Sequence, residues 1–205
     1  FKWSVKLATK KLTATSKADR SVRIIGGTWR SQKILFAEAP GLRPTGDRIR
    51  ETLFNWLASN ISGAKCLDLF AGSGVLGFEA LSRGAAHCTA LESHPAAAKN
   101  LHSTKVALSA DINIININSL KFLAQPSKGQ VFDIVFIDPP FDAELLNQSC
   151  SLLEENGWLT TSAMIYCELS LSDNTFVPPL NWQQVQDKYA GEVRYCLFTR
   201  IEPSN

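Results

Sequence analysis

The sequence predicts an α/β fold built on a mostly parallel sheet of seven strands, and three observations support it. Between residues 65 and 155, four apolar runs each precede a helix-like segment, and four successive strand–helix units require a parallel sheet. Residues 163–201 contain three strand-like runs, the last two too close together for a helical crossover, which predicts an antiparallel closing hairpin. Residues 21–36 add two short β-prone runs. We therefore expect a Rossmann-like domain preceded by a small N-terminal β-hairpin.

The N-terminal part of the chain carries the signals of a turn and of a helix start. Gly26 and Gly27 separate the two β-prone runs and predict a hairpin turn that needs positive φ. From Ile49 onward, apolar residues recur at helical spacing. Thr45 or Asp47 is the expected N-cap of that helix, because both side chains can accept a hydrogen bond from its first turn.

The composition is that of one globular domain of modest size. The 205 residues are 45% apolar and 20% charged, which allows a sizeable core and does not fit a disordered chain. No apolar stretch approaches the ~20 residues of a membrane helix, and the N-terminus has no apolar signal core, so export and membrane insertion are not expected. We expect a monomer.

Cysteine and histidine usage predicts neither disulfides nor a metal site. The cysteines are odd in number, form no C-x-x-C pair and lie mostly in apolar runs, which predicts buried thiols in a reducing cytoplasm. The histidines, His87, His94 and His102, show no H-E-x-x-H pattern, so no metal is expected. The cysteines are Cys66, Cys88, Cys150, Cys167 and Cys196.

Positive charge is concentrated at one end of the chain. The first fifty residues hold twelve of the twenty-one Lys and Arg residues but three of the nineteen acids. Clustered cations attract phosphate backbones, because each contact releases a counterion. We interpret residues 1–20 as a basic tail, residues 21–46 as a hairpin and loop that contact nucleic acid, and residues 47–205 as the main domain.

A glycine-rich segment joins the first strand of the main sheet to its helix. Gly72, Gly74 and Gly77 fit the spacing G-x-G-x-x-G, and such glycines let a ligand approach the backbone at a helix N-terminus. Glu92 ends the next strand-like run, where an acid can accept hydrogen bonds from both hydroxyls of a ribose. These residues predict a nucleoside cofactor, either a nicotinamide dinucleotide or S-adenosylmethionine.

The charge next to the glycine-rich segment favours one of these two cofactors. A pyrophosphate is attracted to a helix N-terminus, whereas an ammonium or sulfonium group is attracted to carboxylates. Asp68 lies four residues before Gly72 and therefore favours S-adenosylmethionine. Asn118 ends the third strand-like run, where a polar side chain can reach an adenine. The predicted cofactor-binding residues are Asp68, Phe70, Ala71, Gly72, Gly74, Glu92 and Asn118.

The fourth strand-like run stops abruptly in Asp138-Pro139-Pro140-Phe141. This sequence resembles the [DNS]-P-P-[FYW] motif of methyltransferases that act on amino groups of nucleic-acid bases. An exocyclic amine is a poor nucleophile because its lone pair conjugates with the ring. If Asp138 and the Pro139 carbonyl each accept one N–H bond, the lone pair is aimed for methyl transfer. Phe141 then offers a stacking surface to a base that is flipped out or single-stranded.

Several segments together are similar to one family. VRIIGGTWRSQKI, LRPTGDRIRETLFNWL, LDLFAGSGVLGFEALSRGA and DIVFIDPPF, with Glu92, resemble the RsmD family of bacterial 16S ribosomal RNA guanine-N2 methyltransferases over residues 21–200. The resemblance implies a class I methyltransferase fold, S-adenosylmethionine as cofactor and a guanine of 16S rRNA or of the small ribosomal subunit as substrate. It also implies that Asp138, Pro139, Pro140 and Phe141 are the catalytic residues.

In this interpretation, basic side chains of the N-terminal region contact RNA phosphates and an indole ring stacks on a base. Trp29 is equally compatible with a place in the core. The candidate RNA-binding residues are Arg23, Trp29, Arg30, Lys33, Arg43, Arg48 and Arg50.

Three other functions remain open from the sequence. An adenine-N6 or cytosine-N4 methyltransferase is the nearest, although its motif more often begins with Asn or Ser than with an acid such as Asp138. A dinucleotide-dependent oxidoreductase is favoured only by the glycine-rich segment and Glu92. A non-catalytic RNA-binding or ribosome-assembly factor is favoured only by the basic N-terminal region.

Overall fold

The computed structural model describes residues 20–36, 45–140 and 143–202. The proposed roles of Arg43 and Phe141 fall outside the described residues, as does the basic tail except for the backbone of Arg20. In chain order the elements are β1 (Arg20–Arg23), β2 (Lys33–Phe36), α1 (Asp47–Trp56), β3 (Lys65–Asp68), α2 (Val75–Ser82), β4 (His87–Leu91), α3 (Pro95–Leu108), β5 (Ile112–Ile115), α4 (Ser119–Leu123), β6 (Phe132–Ile137), α5 (Ala143–Glu155), β7 (Leu159–Ser170), β8 (Trp182–Ala190) and β9 (Val193–Arg200).

The main sheet has seven strands in the order β5-β4-β3-β6-β7-β9-β8. Strands β3 to β7 pair in parallel, and β9 runs antiparallel between β7 and β8. The predicted sheet and its closing hairpin are therefore confirmed. The order reverses between β3 and β6, and in such sheets ligands bind outside the carboxyl ends of the strands at that point.

Each face of the sheet carries its own apolar cluster. One cluster joins the sheet to α1, α2 and α3, and the other joins it to α5 and the β8–β9 hairpin. All five cysteines are buried free thiols, as predicted. Within the described ranges no group of three or more His, Cys, Asp or Glu residues could hold a metal. None of the helices described is long and apolar enough to cross a membrane.

The N-terminal hairpin packs against the main domain. Strands β1 and β2 pair antiparallel, and Val22, Ile24 and Ile34 join the cluster that contains α1 and α2. Nine residues connect the strands, and the predicted positive φ is found at Gly27, with a second one at Ser31. A Cβ on Gly27 would lie 1.8 Å from the carbonyl oxygen of Ser82, so this close contact requires glycine.

Helix α1 begins differently from the prediction. Its N-cap is Gly46, with no side-chain cap, and Thr45 and Asp47 do not fill that role. The physical reason is that both side chains bind elsewhere: the Thr45 hydroxyl donates to Asp138, and the Asp47 carboxylate pairs with Arg50.

Arg50 is not available to RNA, which corrects its predicted role as a phosphate contact. The side chain is 0% exposed. Its guanidinium donates to the Arg23 carbonyl at 2.8 Å and to the Thr45 carbonyl at 3.1 Å, and it pairs with Glu79. A buried cation needs such partners. Arg48 and Arg50 are two positions apart on α1 and therefore point in different directions, so Arg48 is exposed while Arg50 faces the core.

Candidate active site

A cavity of about 880 Å³ opens at the carboxyl ends of the parallel strands. The glycine-rich segment, the ends of β4 and β6, the start of α1 and the β8–β9 turn surround it. Its lining includes most of the predicted cofactor and catalytic residues, namely Asp68, Phe70, Ala71, Gly72, Glu92, Asn118, Asp138, Pro139 and Pro140. Residues that lie far apart in the sequence thus meet at one site, because parallel strands deliver their carboxyl ends to the same edge.

The three glycines of the predicted motif have different duties. Gly72 lines the cavity with positive φ. Gly74, the left-handed N-cap of α2, does not line the cavity; a Cβ there would lie 2.4 Å from Leu101. Gly77 faces Cys88, with 3.0 Å from its notional Cβ to the thiol sulfur, so it lets α2 pack closely on the sheet.

Glu92 is held by two backbone amides at the edge of the cavity. One carboxylate oxygen accepts the Gly72 N–H at 2.8 Å, and the other accepts the His94 N–H at 2.7 Å. A carboxylate offers about four acceptor positions, so two remain for a ligand. This arrangement fixes the carboxylate and couples it to the glycine-rich segment, and it fits the ribose of a nucleoside.

Asp68 brings a buried negative charge to the same cavity. Its carboxylate accepts the Gly77 N–H at 3.2 Å and is 3% exposed. Burial raises the pKa of Asp68 to about 7, and the neighbouring Glu92 adds to the effect, while the Gly77 N–H opposes it. A cationic ligand would favour the ionised carboxylate. The carboxylates of Asp68 and Glu92 therefore fit the ammonium and sulfonium of S-adenosylmethionine better than a pyrophosphate.

Asn118 lines the cavity but also caps the short helix α4. Its side-chain oxygen accepts the Lys121 N–H at 3.1 Å. The adjacent Ser119 hydroxyl donates to the Leu69 carbonyl and ties this end of β5 to the glycine-rich segment. Asn118 can therefore reach a ligand in the cavity, although its side-chain oxygen already accepts the hydrogen bond from Lys121.

Asp138 stands at the end of β6 beside an acid that sequence reasoning missed. Ile137 pairs with Cys167 in parallel register, so the next residue of each strand places Asp138 beside Glu168. The Thr45 hydroxyl donates to Asp138 at 3.2 Å, and the Tyr166 hydroxyl donates to Glu168 at 2.7 Å. Both carboxyls line the cavity.

Both neighbouring carboxyls have raised pKa values. Burial, followed by the charge of Glu168, raises the pKa of Asp138 well above its usual range. Burial likewise raises the pKa of Glu168, partly offset by the hydroxyls of Tyr166 and Thr45. Two neighbouring buried acids resist joint ionisation, and N–H donors from a bound base would favour their ionised, hydrogen-bond-accepting forms. A single acid inside the apolar run AMIYCELS was the signal that could have revealed Glu168.

The β8–β9 turn forms part of the cavity wall, which the sequence did not predict. Ala190, Gly191, Glu192 and Val193 all line it. This turn lies on the strands that follow the last helix, and no motif marks it.

The candidate RNA-binding residues separate into exposed and buried positions. Arg30 and Arg48 are exposed, as are Arg23 and Lys33 at the ends of the hairpin strands. Trp29 is half-buried against the core, and its backbone N–H donates to the Ser82 hydroxyl at 2.9 Å. Four cations therefore remain accessible to phosphate, while the Trp29 ring is partly committed to packing.

The protein is a class I methyltransferase that depends on S-adenosylmethionine. Three features define this class: the order of the strands in the sheet, the carboxylates of Glu92 and Asp68, and the Asp-Pro-Pro corner. Comparison with known proteins agrees. Ribosomal RNA small subunit methyltransferase D of Escherichia coli is 49% identical over 180 residues, which cover 87% of this chain and 90% of the relative. The protein of the same name from Haemophilus influenzae is 48% identical over 188 residues, 90% of this chain and 96% of the relative.

A solved structure described as "Putative methyltransferase yhhF from Escherichia coli" superposes with a TM-score of 0.83 at 45% identity. The superposed region covers 90% of this chain and 100% of the solved chain. The model of the family described as Conserved hypothetical protein 95 matches residues 22–199, and the chain belongs to that family. The predicted membership of the RsmD family is confirmed.

Proposed function

We propose that this protein transfers a methyl group from S-adenosylmethionine to the exocyclic N2 amine of a specific guanine in 16S ribosomal RNA. The observation that carries the proposal is the position of Asp138 and Pro139, at the end of β6 in the cavity that also holds Asp68 and Glu92. The residues that accept the amine and the residues that bind the cofactor thus line the same cavity. The names of its close relatives, which are ribosomal RNA small subunit methyltransferases, support the RNA substrate.

One side of the cavity carries the residues that would hold the methyl donor. When bound, S-adenosylmethionine supplies an electrophilic methyl group. Glu92, anchored by Gly72 and His94, would accept hydrogen bonds from the ribose hydroxyls, and Asp68 would attract the positively charged end. Asn118 and Phe70 line the same side of the cavity.

The substrate side of the cavity orients the amine. The Asp138 carboxylate and the Pro139 carbonyl each accept one N–H of the target amine, which directs the nitrogen lone pair toward the methyl donor. The Thr45 hydroxyl holds the Asp138 carboxylate through a hydrogen bond of 3.2 Å. Pro139 and Pro140 fix the backbone at this corner, since proline locks φ.

Proton loss needs no strong base in this arrangement. The amine becomes acidic once it carries the new methyl group, and it releases a proton to water or to Asp138. Because burial raises the pKa of Asp138, its carboxylate is a better proton acceptor than an exposed aspartate. Asp138 is first a positioning group and second a proton acceptor.

The N-terminal hairpin and the start of α1 engage the RNA backbone. Arg23, Arg30, Lys33 and Arg48 are exposed and supply the phosphate contacts. The target base leaves its stack to enter the cavity, because the amine of a paired base cannot reach Asp138.

The protein acts as a monomer in the cytoplasm. Light scattering of the purified protein checks this point; a dimer at micromolar concentration would contradict it.

Nucleoside mass spectrometry of 16S rRNA tests the proposed function. Cells without this protein should lack one N2-methylguanosine, and the wild-type protein should restore it. Loss of N6-methyladenosine or N4-methylcytosine instead would support the alternative amino-methyltransferase. Unchanged rRNA would overturn the proposal.

A further inference from the structure

Glu168 is a buried acid of the cavity to which neither the family motif nor the cofactor assigns a role. It lies on β7 next to Asp138, is 7% exposed and lines the cavity. The Tyr166 hydroxyl donates to one of its oxygens at 2.7 Å, which fixes the carboxyl in place. A buried carboxyl that opens into a substrate cavity retains acceptor capacity for a ligand.

We propose that Glu168 accepts the N1–H of the target guanine and thereby selects guanine at the site. The inference rests on the proposed function and adds a specificity-determining residue to it. The two carboxyls stand at neighbouring positions of parallel strands, which are ~4.8 Å apart. On guanine, N1–H and the N2 amine are adjacent donors, so Glu168 and Asp138 can each receive one of them.

The chemistry of the other bases explains the selection. Adenine and cytosine both carry a lone pair on the ring nitrogen next to their amino-bearing carbon, where guanine has its N1–H. A carboxylate opposite such a lone pair is repelled, and both groups lose their hydrogen bonds with water. A site that accepts a hydrogen bond from a substrate N–H discriminates strongly against an analogue that lacks that N–H.

Tyr166 and Thr45 prepare Glu168 for this role before the base arrives. Tyr166 is completely buried, and its hydroxyl fixes the Glu168 carboxyl from the core side. The Thr45 hydroxyl donates to Asp138 and also lowers the pKa of Glu168. Preorganised acceptors cost less reorganisation when the substrate binds.

The test uses a base that keeps the N2 amine but loses the N1–H. Small subunits are assembled from 16S rRNA that carries either guanine or 2,6-diaminopurine at the nucleotide methylated by the wild-type protein. Methyl incorporation from labelled S-adenosylmethionine gives kcat/KM for each. The wild-type protein should prefer guanine by roughly 10- to 100-fold, the effect of a charged hydrogen bond; equal use of both bases would overturn the role of Glu168.

The Glu168→Gln variant supplies the second arm. Glutamine keeps the size of the side chain and an oxygen for Tyr166, but its amide can donate to the N1 lone pair of diaminopurine. The preference for guanine should fall by at least about tenfold. An unchanged preference, with both substrates slowed equally, would make Glu168 merely structural and overturn the inference.

Two controls separate the possible failures. Glu155→Gln makes the same chemical change at an exposed position of α5 and should keep the wild-type preference. The wild-type comparison of the two bases does not depend on whether Glu168→Gln folds. If the wild-type protein binds S-adenosylmethionine but methylates no guanine in the subunit, the proposed function itself fails, and the role of Glu168 fails with it.

Discussion

Arg50 and Glu79 form an ion pair in which both side chains are fully buried, with 3.3 Å between Nη1 and Oε2. Glu79 also accepts the backbone N–H groups of Ile25 and Gly26, both at 2.8 Å. Arg50 in turn holds the carbonyl of Thr45, whose hydroxyl reaches Asp138. The N-terminal hairpin, the start of α1 and the catalytic corner are therefore joined through one pair of charges.

Removal of one member of this pair should destabilise the fold. Arg50→Met is expected to lower the free energy of unfolding by about 3 kcal/mol, the lower end for a broken buried ion pair, because Glu79 loses Arg50 but keeps its ion pair with Arg83 at 2.7 Å. Urea denaturation measures the effect. Arg48→Met is the matched control, since Arg48 is exposed, and its unfolding midpoint should stay near that of the wild type. Equal midpoints for all three proteins would contradict the structural role of Arg50.

The Asp138 carboxylate should be essential for methyl transfer but not for cofactor binding. Asp138→Ala and Asp138→Asn are expected to lower the rate by at least about 100-fold, since a positioned acceptor for the amine is lost. Calorimetry should show nearly unchanged affinity for S-adenosylmethionine. Asp111→Asn, an exposed change just before β5, serves as control. Near-normal turnover of either Asp138 variant would refute the mechanism.

The main sheet and most of the cavity could be predicted because their signals are local in sequence. Alternation of apolar runs and helices specifies parallel strands, and Asp138-Pro139-Pro140 marks the end of β6. Glu168 is marked in the sequence only as an acid inside an apolar run, and its position beside Asp138 could not be predicted because it depends on the pairing of β7 with β6. The burial of Arg50 depends on tertiary packing as well. Nothing in the sequence separates Arg50 from the exposed Arg48 two positions earlier, because the ion pair with Glu79 exists only in the folded protein.

Asp68 should make the stability of the cofactor-free protein depend on pH. Its pKa is about 7 in the folded protein against an ordinary value of 3.8, so the folded protein keeps a proton that the unfolded chain releases. Folding is therefore penalised increasingly as pH rises from about 4 to 7, and the penalty is complete above that range.

Asp68→Asn tests this relation. The variant cannot ionise and retains an oxygen for the Gly77 N–H. It should raise the free energy of unfolding at pH 8 by about 2 to 4 kcal/mol, with little change at pH 4, and it should weaken S-adenosylmethionine binding. Urea unfolding at the two pH values and calorimetry measure both effects. The same stability difference at pH 4 and pH 8 would show that Asp68 does not titrate as described.

Glu92 should contribute to cofactor affinity in two ways. Glu92→Ala removes the ribose acceptor and also frees the Gly72 and His94 N–H groups, so the affinity for S-adenosylmethionine should fall by about 1 to 3 kcal/mol. Glu92→Gln, which can still accept from one of the two amides, should lose less. Calorimetry ranks the two variants; an unchanged affinity in Glu92→Ala would remove Glu92 from the site.

The exposed cations of the hairpin should act on RNA without affecting the cofactor. Deletion of residues 1–36 cannot test this cleanly, because Val22, Ile24 and Ile34 belong to the core. The triple variant Arg23→Ala, Arg30→Ala and Lys33→Ala avoids that damage, since all three side chains are exposed.

Each lost phosphate contact lowers the salt dependence of RNA binding by roughly 0.7 to 0.9 in the slope of log K against log salt. The triple variant should therefore show a slope lower by about 2, together with weaker RNA binding and unchanged affinity for S-adenosylmethionine. The matched control replaces three exposed lysines elsewhere, Lys99, Lys121 and Lys128. If the control reduces the slope as much as the hairpin variant does, RNA is attracted by overall charge, and the hairpin is not its docking surface.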